Sequence, residues 1–171
     1  MGSDPAQLTT DRYEIAYAFH RFAFGLDHGN ADSLASALTE DCTLDFRPAG
    51  RKLGLDFPKL TGRQPIVDAL IPLLGPLDTS HSVSNLQIEI SDDSARLYCY
   101  VMAQHFMPRE GPRPGSENAL LMNRYDCELS RDGQKWRFRK MTIDNAWAQG
   151  NPEILNALAT HRLLSSKKIP K

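Results

Sequence analysis

"SARLYCYVMAQHF" (94–106) decides the fold class. Leu97, Cys99, Val101 and Ala103 occupy one parity and are small and apolar, while Tyr98, Tyr100, Met102 and Gln104 occupy the other. That two-residue period belongs to a strand with one face against a core. The inward set ends on a polar member, His105. The same period recurs in "ALLMNRYDCEL" (119–129), where Leu121, Asn123, Tyr125, Cys127 and Leu129 share a face, and in "SVSNLQIEI" (82–90) and "KWRFRKMTI" (135–143). "SDDS" and "RDGQ" read as hairpin turns, and the proline-rich "MPREGPRPGSEN" (107–118) reads as a loop at a pocket mouth.

Upstream the period changes to helical. Ile15, Phe19, Phe22 and Leu26 predict a helix from Thr10 to His28, with Thr10 or Asp11 as cap and Gly29 as stop. A short second helix follows, capped by Asn30 or Asp32 and carrying Leu34, Ala37 and Leu38 inward. "CTLDF" (42–46) reads as a strand and 48–62 as a loop. "QPIVDALIPLL" (64–74) reads as a helix that Pro72 kinks or ends near Ile71. "NPEILNALATHRLL" (151–164) reads as a closing helix with Asn151 as cap and Pro152 in its first turn. Helices first and an antiparallel sheet afterwards predict an α+β fold with the helices on one face of the sheet. The expected organisation is one domain over 1–171, folded from about 8 to 160, with 161–171 a frayed tail.

Composition bounds the partners. The 171 residues are 41% hydrophobic and 24% charged, enough to bury a core. Lys plus Arg number 20 against 21 Asp plus Glu, so no basic stripe or acidic tail points to nucleic acid or to a membrane surface. Cys42, Cys99 and Cys127 lack CxxC spacing and sit in apolar segments, as buried thiols of a reducing compartment do. With neither a signal-peptide pattern nor a membrane-spanning run, the expected location is cytoplasmic.

Several polar side chains face inward where apolar ones would serve. His105, Asn123 and Tyr125 follow from strand parity. His81 requires a β-bulge near Asn85, because Leu86, Ile88 and Ile90 have the opposite parity to His81, Val83 and Asn85. Asp27 follows Leu26 at the end of the first helix, on the side of His20 and Ala23. An acid there opposes the helix dipole, so it asks for a partner such as an imidazolium. Each residue alone has a structural explanation, but together they form a cluster of titratable groups in a cavity, as acid–base sites do.

The order "FAFGLDHGNADSLASALTEDCTLDF", "GRQPIVDAL", "SHSVSN", alternating strands and "GQKWRF" resembles the SnoaL-like branch of the nuclear transport factor 2-like superfamily over nearly the whole chain. The resemblance implies a cone-shaped barrel, a curved sheet wrapped around helices with a deep apolar pocket, in a dimer or trimer. Within that superfamily, the pattern is similar to scytalone dehydratase and related lyases. Their catalytic Asp falls on Asp27, their pocket histidines on His81 and His105, and their inward polar residues on or near Asn123 and Tyr125. Their two water-orienting tyrosines fall on Leu26 and Phe46, which argues against scytalone itself as substrate.

The resulting expectation is a lyase or isomerase without cofactor or metal, using Asp27 and His81 as base unit and His105 as acid or polariser. Tyr125, Asn123, Phe46, Tyr17, Phe22, Val101 and Trp147 are expected to contact an aromatic, polyketide, terpenoid or steroid-like substrate, with Phe19, Leu97 and Trp136 as further wall. The alternatives are a non-catalytic binding module, a structural subunit resembling the small subunit of ring-hydroxylating dioxygenases, a His/carboxylate metal site, and epoxide hydrolysis.

Overall fold

A computed structural model describes residues 4–156. Helix α1 (Pro5–Asp27) starts earlier than periodicity predicts: Asp4, not Thr10 or Asp11, is the cap and accepts the Ala6 N–H at 3.1 Å. Asp11 is instead buried about two turns further on. Its carboxylate accepts Arg131 Nη1 and Nη2 at 2.6 and 2.8 Å and Trp136 Nε1 at 3.1 Å, tying α1 to the sheet. That company lowers its pKa to about 2, with the Arg131 bonds as main cause. After α2 (Ala31–Ser36), capped by Asn30, comes β1 (Leu38–Asp45).

The segment read as a loop over 48–62 holds two elements, α3 (Arg47–Leu53) and β2 (Leu60–Thr61). Proline is tolerated in a helix's first turn, and Gly54 at φ 72° closes α3 in the left-handed conformation, so the breakers bracket a helix rather than forbid one. Helix α4 (Arg63–Leu74) likewise continues through Pro72, and the Gly75 N–H bonds Ile71 O at 2.8 Å beyond it.

Strands β3 (Asp78–Ser91), β4 (Ser94–Phe106), β5 (Asn118–Asp132) and β6 (Lys135–Gly150) complete one sheet in the order β2-β1-β6-β5-β4-β3. Among the described residues the β1–β6 pairing is parallel and the other pairs are antiparallel. The six-stranded sheet curves but does not close into a barrel, since β2 and β3 remain edges. The chain is therefore α+β, as read, with an open cone. The β3–β4 register shifts between Ser84 and Gln87, and Asn85 has φ 54°, which is the bulge that the parity of β3 demands.

Inside the cone, α1 packs its aromatic stripe edge-to-face on the sheet, with Phe19 5.1 Å from Tyr125 and 5.5 Å from Phe138 between ring centroids. Gly25 lets α2 approach: a Cβ there would lie 2.6 Å from Leu34 N. Cys42, Cys99 and Cys127 are buried and unpaired, and burial pushes the Cys42 and Cys99 thiols up to about 12. Among the described residues, no helix is long and apolar enough to cross a membrane. The frayed tail expected over 161–171, and all of the closing helix beyond 156, lie outside the described residues.

Candidate active site

The end of α1 lies over the edge strand β3, and this explains the acid at its C-terminus. An edge strand presents backbone N–H groups without a sheet partner. Asp27 Oδ2 accepts the backbone N–H of His81 at 3.0 Å, and Oδ1 accepts Nδ1–H of the same residue at 2.6 Å. Two donors on one carboxylate offset the unfavourable helix dipole. The pair is largely dry, with 5% of the His81 side chain and 16% of Asp27 exposed. The bulge at Asn85 is what brings His81 to this face.

His105 on β4 stands beside it, the two imidazole centroids 5.5 Å apart. Burial, reinforced by the neighbouring His81, lowers its pKa to about 3, so it is neutral near pH 7. Its Nδ1 meets Thr79 Oγ1 at 2.8 Å. On β5, Asn123 Oδ1 accepts Asn145 Nδ2 at 2.9 Å, and burial drives the Tyr125 phenol far above its ordinary pKa, keeping it a neutral donor.

These side chains surround a cavity of about 140 Å³. His81, His105, Asn123 and Tyr125 are its polar lining, and the remainder is almost wholly apolar, from α1, α4, strands β1, β4, β5 and β6, the 46–60 segment and Leu155. Phe22 and Phe46 line it, as expected. Three expected contacts do not. Tyr17 is 43% exposed and stacks on Tyr13, because it lies on the opposite side of α1 from Phe19 and Phe22. Val101 is fully buried in the core and absent from the cavity wall, as are Phe19, Leu97 and Trp136. Trp147 is 44% exposed on the outer face. The β5–β6 register places Asn123 opposite Asn145 but Met122 opposite Trp147, so an extra residue at Ala146 reverses the parity of β6 just before the tryptophan. Periodicity also missed Phe57 and Leu155, which reach the cavity from irregular chain and from the first turn after β6. Among the described residues, no group of three His, Cys, Asp or Glu side chains is placed to hold a metal ion.

The sequence matches the SnoaL-like domain over residues 7–142. The chain belongs to the SnoaL-like family. A curated relative of this SnoaL-like protein is the terrestric acid biosynthesis cluster protein E of Penicillium crustosum, 29% identical over 153 residues, which span 86% of this chain and 92% of the relative. Among solved structures, a type 2 hexachlorocyclohexane dehydrochlorinase, LinA, superposes with a TM-score of 0.70 at 19% identity, covering 86% of this chain and 93% of that one. A scytalone dehydratase-like protein of Novosphingobium aromaticivorans gives a TM-score of 0.69 at 21% identity, covering 87% and 97%. At these identities the two structures establish the fold.

Proposed function

We propose that this SnoaL-like protein is a cofactor-independent lyase or isomerase in which the Asp27–His81 pair removes a proton from carbon. The observation that carries this reading is the pair of hydrogen bonds that His81 donates to the Asp27 carboxylate at the wall of an apolar cavity. With Nδ1–H given to the carboxylate, the neutral ring keeps its lone pair on Nε2, and Asp27 stabilises the imidazolium once that lone pair has taken a proton. A positioned base of this kind contributes about 10²–10⁴-fold.

The substrate chemistry that suits this pair is a ring β-hydroxy ketone. His81 Nε2 takes the α-hydrogen, and the C–H electron pair passes to the carbonyl oxygen as an enolate held by Asn123 and Tyr125. Such donors contribute on the order of 10²–10³-fold when they meet developing charge. Collapse of the enolate forms the Cα=Cβ bond and breaks Cβ–O, and the departing oxygen leaves as water with the proton from His81. On a β,γ-unsaturated ring ketone, removal of the α-hydrogen gives a dienolate, and return of that proton to Cγ gives a double-bond shift instead. His105, held neutral by burial, binds or polarises substrate rather than delivering a proton.

The cavity volume supports a substrate of one ring, since an engineered apolar cavity of about 150 Å³ admits benzene. A steroid-sized molecule would need the wall to move. The proposal includes self-association, favoured by the outer-face row of Met102, Met122 and Trp147 across β4, β5 and β6, in which Met102 and Trp147 are exposed and Met122 is half-buried, and sedimentation distinguishes dimer from trimer.

The test is release of conjugated enone from a panel of single-ring hydroxy ketones, followed by ultraviolet absorbance. Turnover by the wild type and its loss in folded His81→Asn is expected. Equal rates in the two proteins would sink the proposal.

A further inference from the structure

The cavity's polar atoms are backed by two residues outside its wall, Thr79 and Asn145. Thr79 Oγ1 contacts Gln104 O at 2.8 Å as well as His105 Nδ1 at 2.8 Å. A carbonyl oxygen only accepts, and a threonine hydroxyl carries one hydrogen. The hydroxyl therefore donates to Gln104, and His105 Nδ1–H must donate to the hydroxyl. The neutral ring is left with an unprotonated Nε2, which has no hydrogen-bond partner among the described residues.

Asn145 works by the same logic. Its Nδ2 lies 3.2 Å from Met122 O and 3.0 Å from Trp147 O, two backbone acceptors that fix which end of the amide is nitrogen. The atom of Asn123 that meets this nitrogen at 2.9 Å must then be Oδ1. That leaves Asn123 Nδ2 as its free end, a donor, and the Tyr125 hydroxyl is likewise without a protein partner among the described residues.

We propose that Thr79 and Asn145 fix the hydrogen-bond polarity of this cavity, so that it takes a single-ring compound offering an acceptor to Asn123 and a donor to His105, as a ring hydroxy ketone does. The substrate assignment rests on the reading of this cavity as the reaction site, whereas the polarity itself does not. Thr79 and Asn145 are positioning residues: they act through His105 and Asn123.

The experiment needs no turnover. Ring ¹⁵N spectra of the wild type, Thr79→Ser and Thr79→Val give the tautomer of His105 directly. The expected result is Nδ1–H in the wild type and in Thr79→Ser, with the proton moving wholly or partly to Nε2 in Thr79→Val. Nε2–H in the wild type, or a Thr79→Val spectrum unchanged from it, overturns the assignment, and the wild type and serine variant decide the matter if the valine variant does not fold.

Calorimetry with 4-hydroxycyclohexanone and cyclohexane-1,4-dione then tests the ligand class on one ring size. The wild type is expected to prefer the hydroxy ketone by about tenfold or more, because the dione turns a lone pair toward Nε2 of His105. Asn123→Asp keeps the bond from Asn145 but makes the free end an acceptor, and is expected to lose about tenfold or more in hydroxy ketone affinity. Equal binding of the two ligands, or binding of neither, overturns the ligand class. Polarity and binding as expected without turnover would count against the proposed reaction alone.

Discussion

Replacing Asp27 by Asn changes one atom and should disable the base through its tautomer. The backbone N–H of His81 can only donate, so the new amide satisfies it only by presenting Oδ1 there, which turns Nδ2 toward His81 Nδ1. That nitrogen must then accept, and the ring proton moves to Nε2, where the reaction requires a lone pair. The opposite amide orientation preserves the working tautomer but leaves the backbone N–H against an NH₂ group, at a cost of about 1–3 kcal/mol. The working tautomer is therefore depopulated by roughly 5- to 150-fold. The imidazolium also loses a 2.6 Å charge-assisted bond, a class of interaction contributing about 1.5–3 kcal/mol and so on the order of 10-fold to 10²-fold in rate. Together these give a loss of about 10²–10⁴-fold, whose upper end, about 10⁴-fold, is the loss when the acid of a serine-protease triad becomes its amide. The assay is kcat/KM for enone release, with circular dichroism and ring ¹⁵N spectra confirming a folded protein and a proton on Nε2 of His81. A folded Asp27→Asn protein within about tenfold of wild type refutes the reasoning.

Other perturbations follow from the same geometry. His105 titrates at its ordinary value when unfolded but only near 3 when folded, so between about pH 6.5 and 3 the unfolded chain binds the extra proton and stability falls as pH falls. Thermal melts should show that slope in the wild type and a shallower one in His105→Asn. Asp11 has the same sign lower on the scale: its contribution is complete above about pH 4 and is lost as pH drops toward 2, so Asp11→Asn should lower Tm at pH 7 and narrow the gap to wild type near pH 2.5. Gly25→Ala drives a Cβ into the backbone of Leu34 and should destabilise by about 1–3 kcal/mol, read in urea, with α1 and α2 forced apart. Trp147→Ala, on the outer face, should leave kcat unchanged.

Local pattern carried the strands and much of the site. Parity in 94–106 and 119–129 places His105, Asn123 and Tyr125 inward, and the parity conflict within β3 calls for the bulge that the Asn85 backbone displays. Asp27 stood out because an acid at a helix C-terminus needs compensation, and the structure supplies it from an edge strand. The failures have equally physical causes. Nothing in the local pattern marks the extra residue at Ala146, so Trp147 kept the wrong parity. Helix α3 hid between residues that usually break helices. Tyr17 faces away from Phe19 and Phe22 on α1, and Val101 shares the face of the cavity wall but lies within the packed core. Phe57 comes to the cavity by tertiary packing from irregular chain, and Leu155 from the start of the closing helix, whose docking no local pattern specifies. Thr79 and Asn145 act only through the atoms behind which they stand, and a hydrogen-bond direction has no sequence signature.

The central claim is that His81, oriented by Asp27, removes hydrogen from carbon. The measurement that tests it most directly is deuterium wash-in at the α-carbon of cyclohexanone in D₂O, followed by proton NMR in wild type and in His81→Asn. The account predicts exchange in the presence of wild-type protein about 10²-fold or more above that with the folded variant. Exchange at the same rate with both proteins would contradict it.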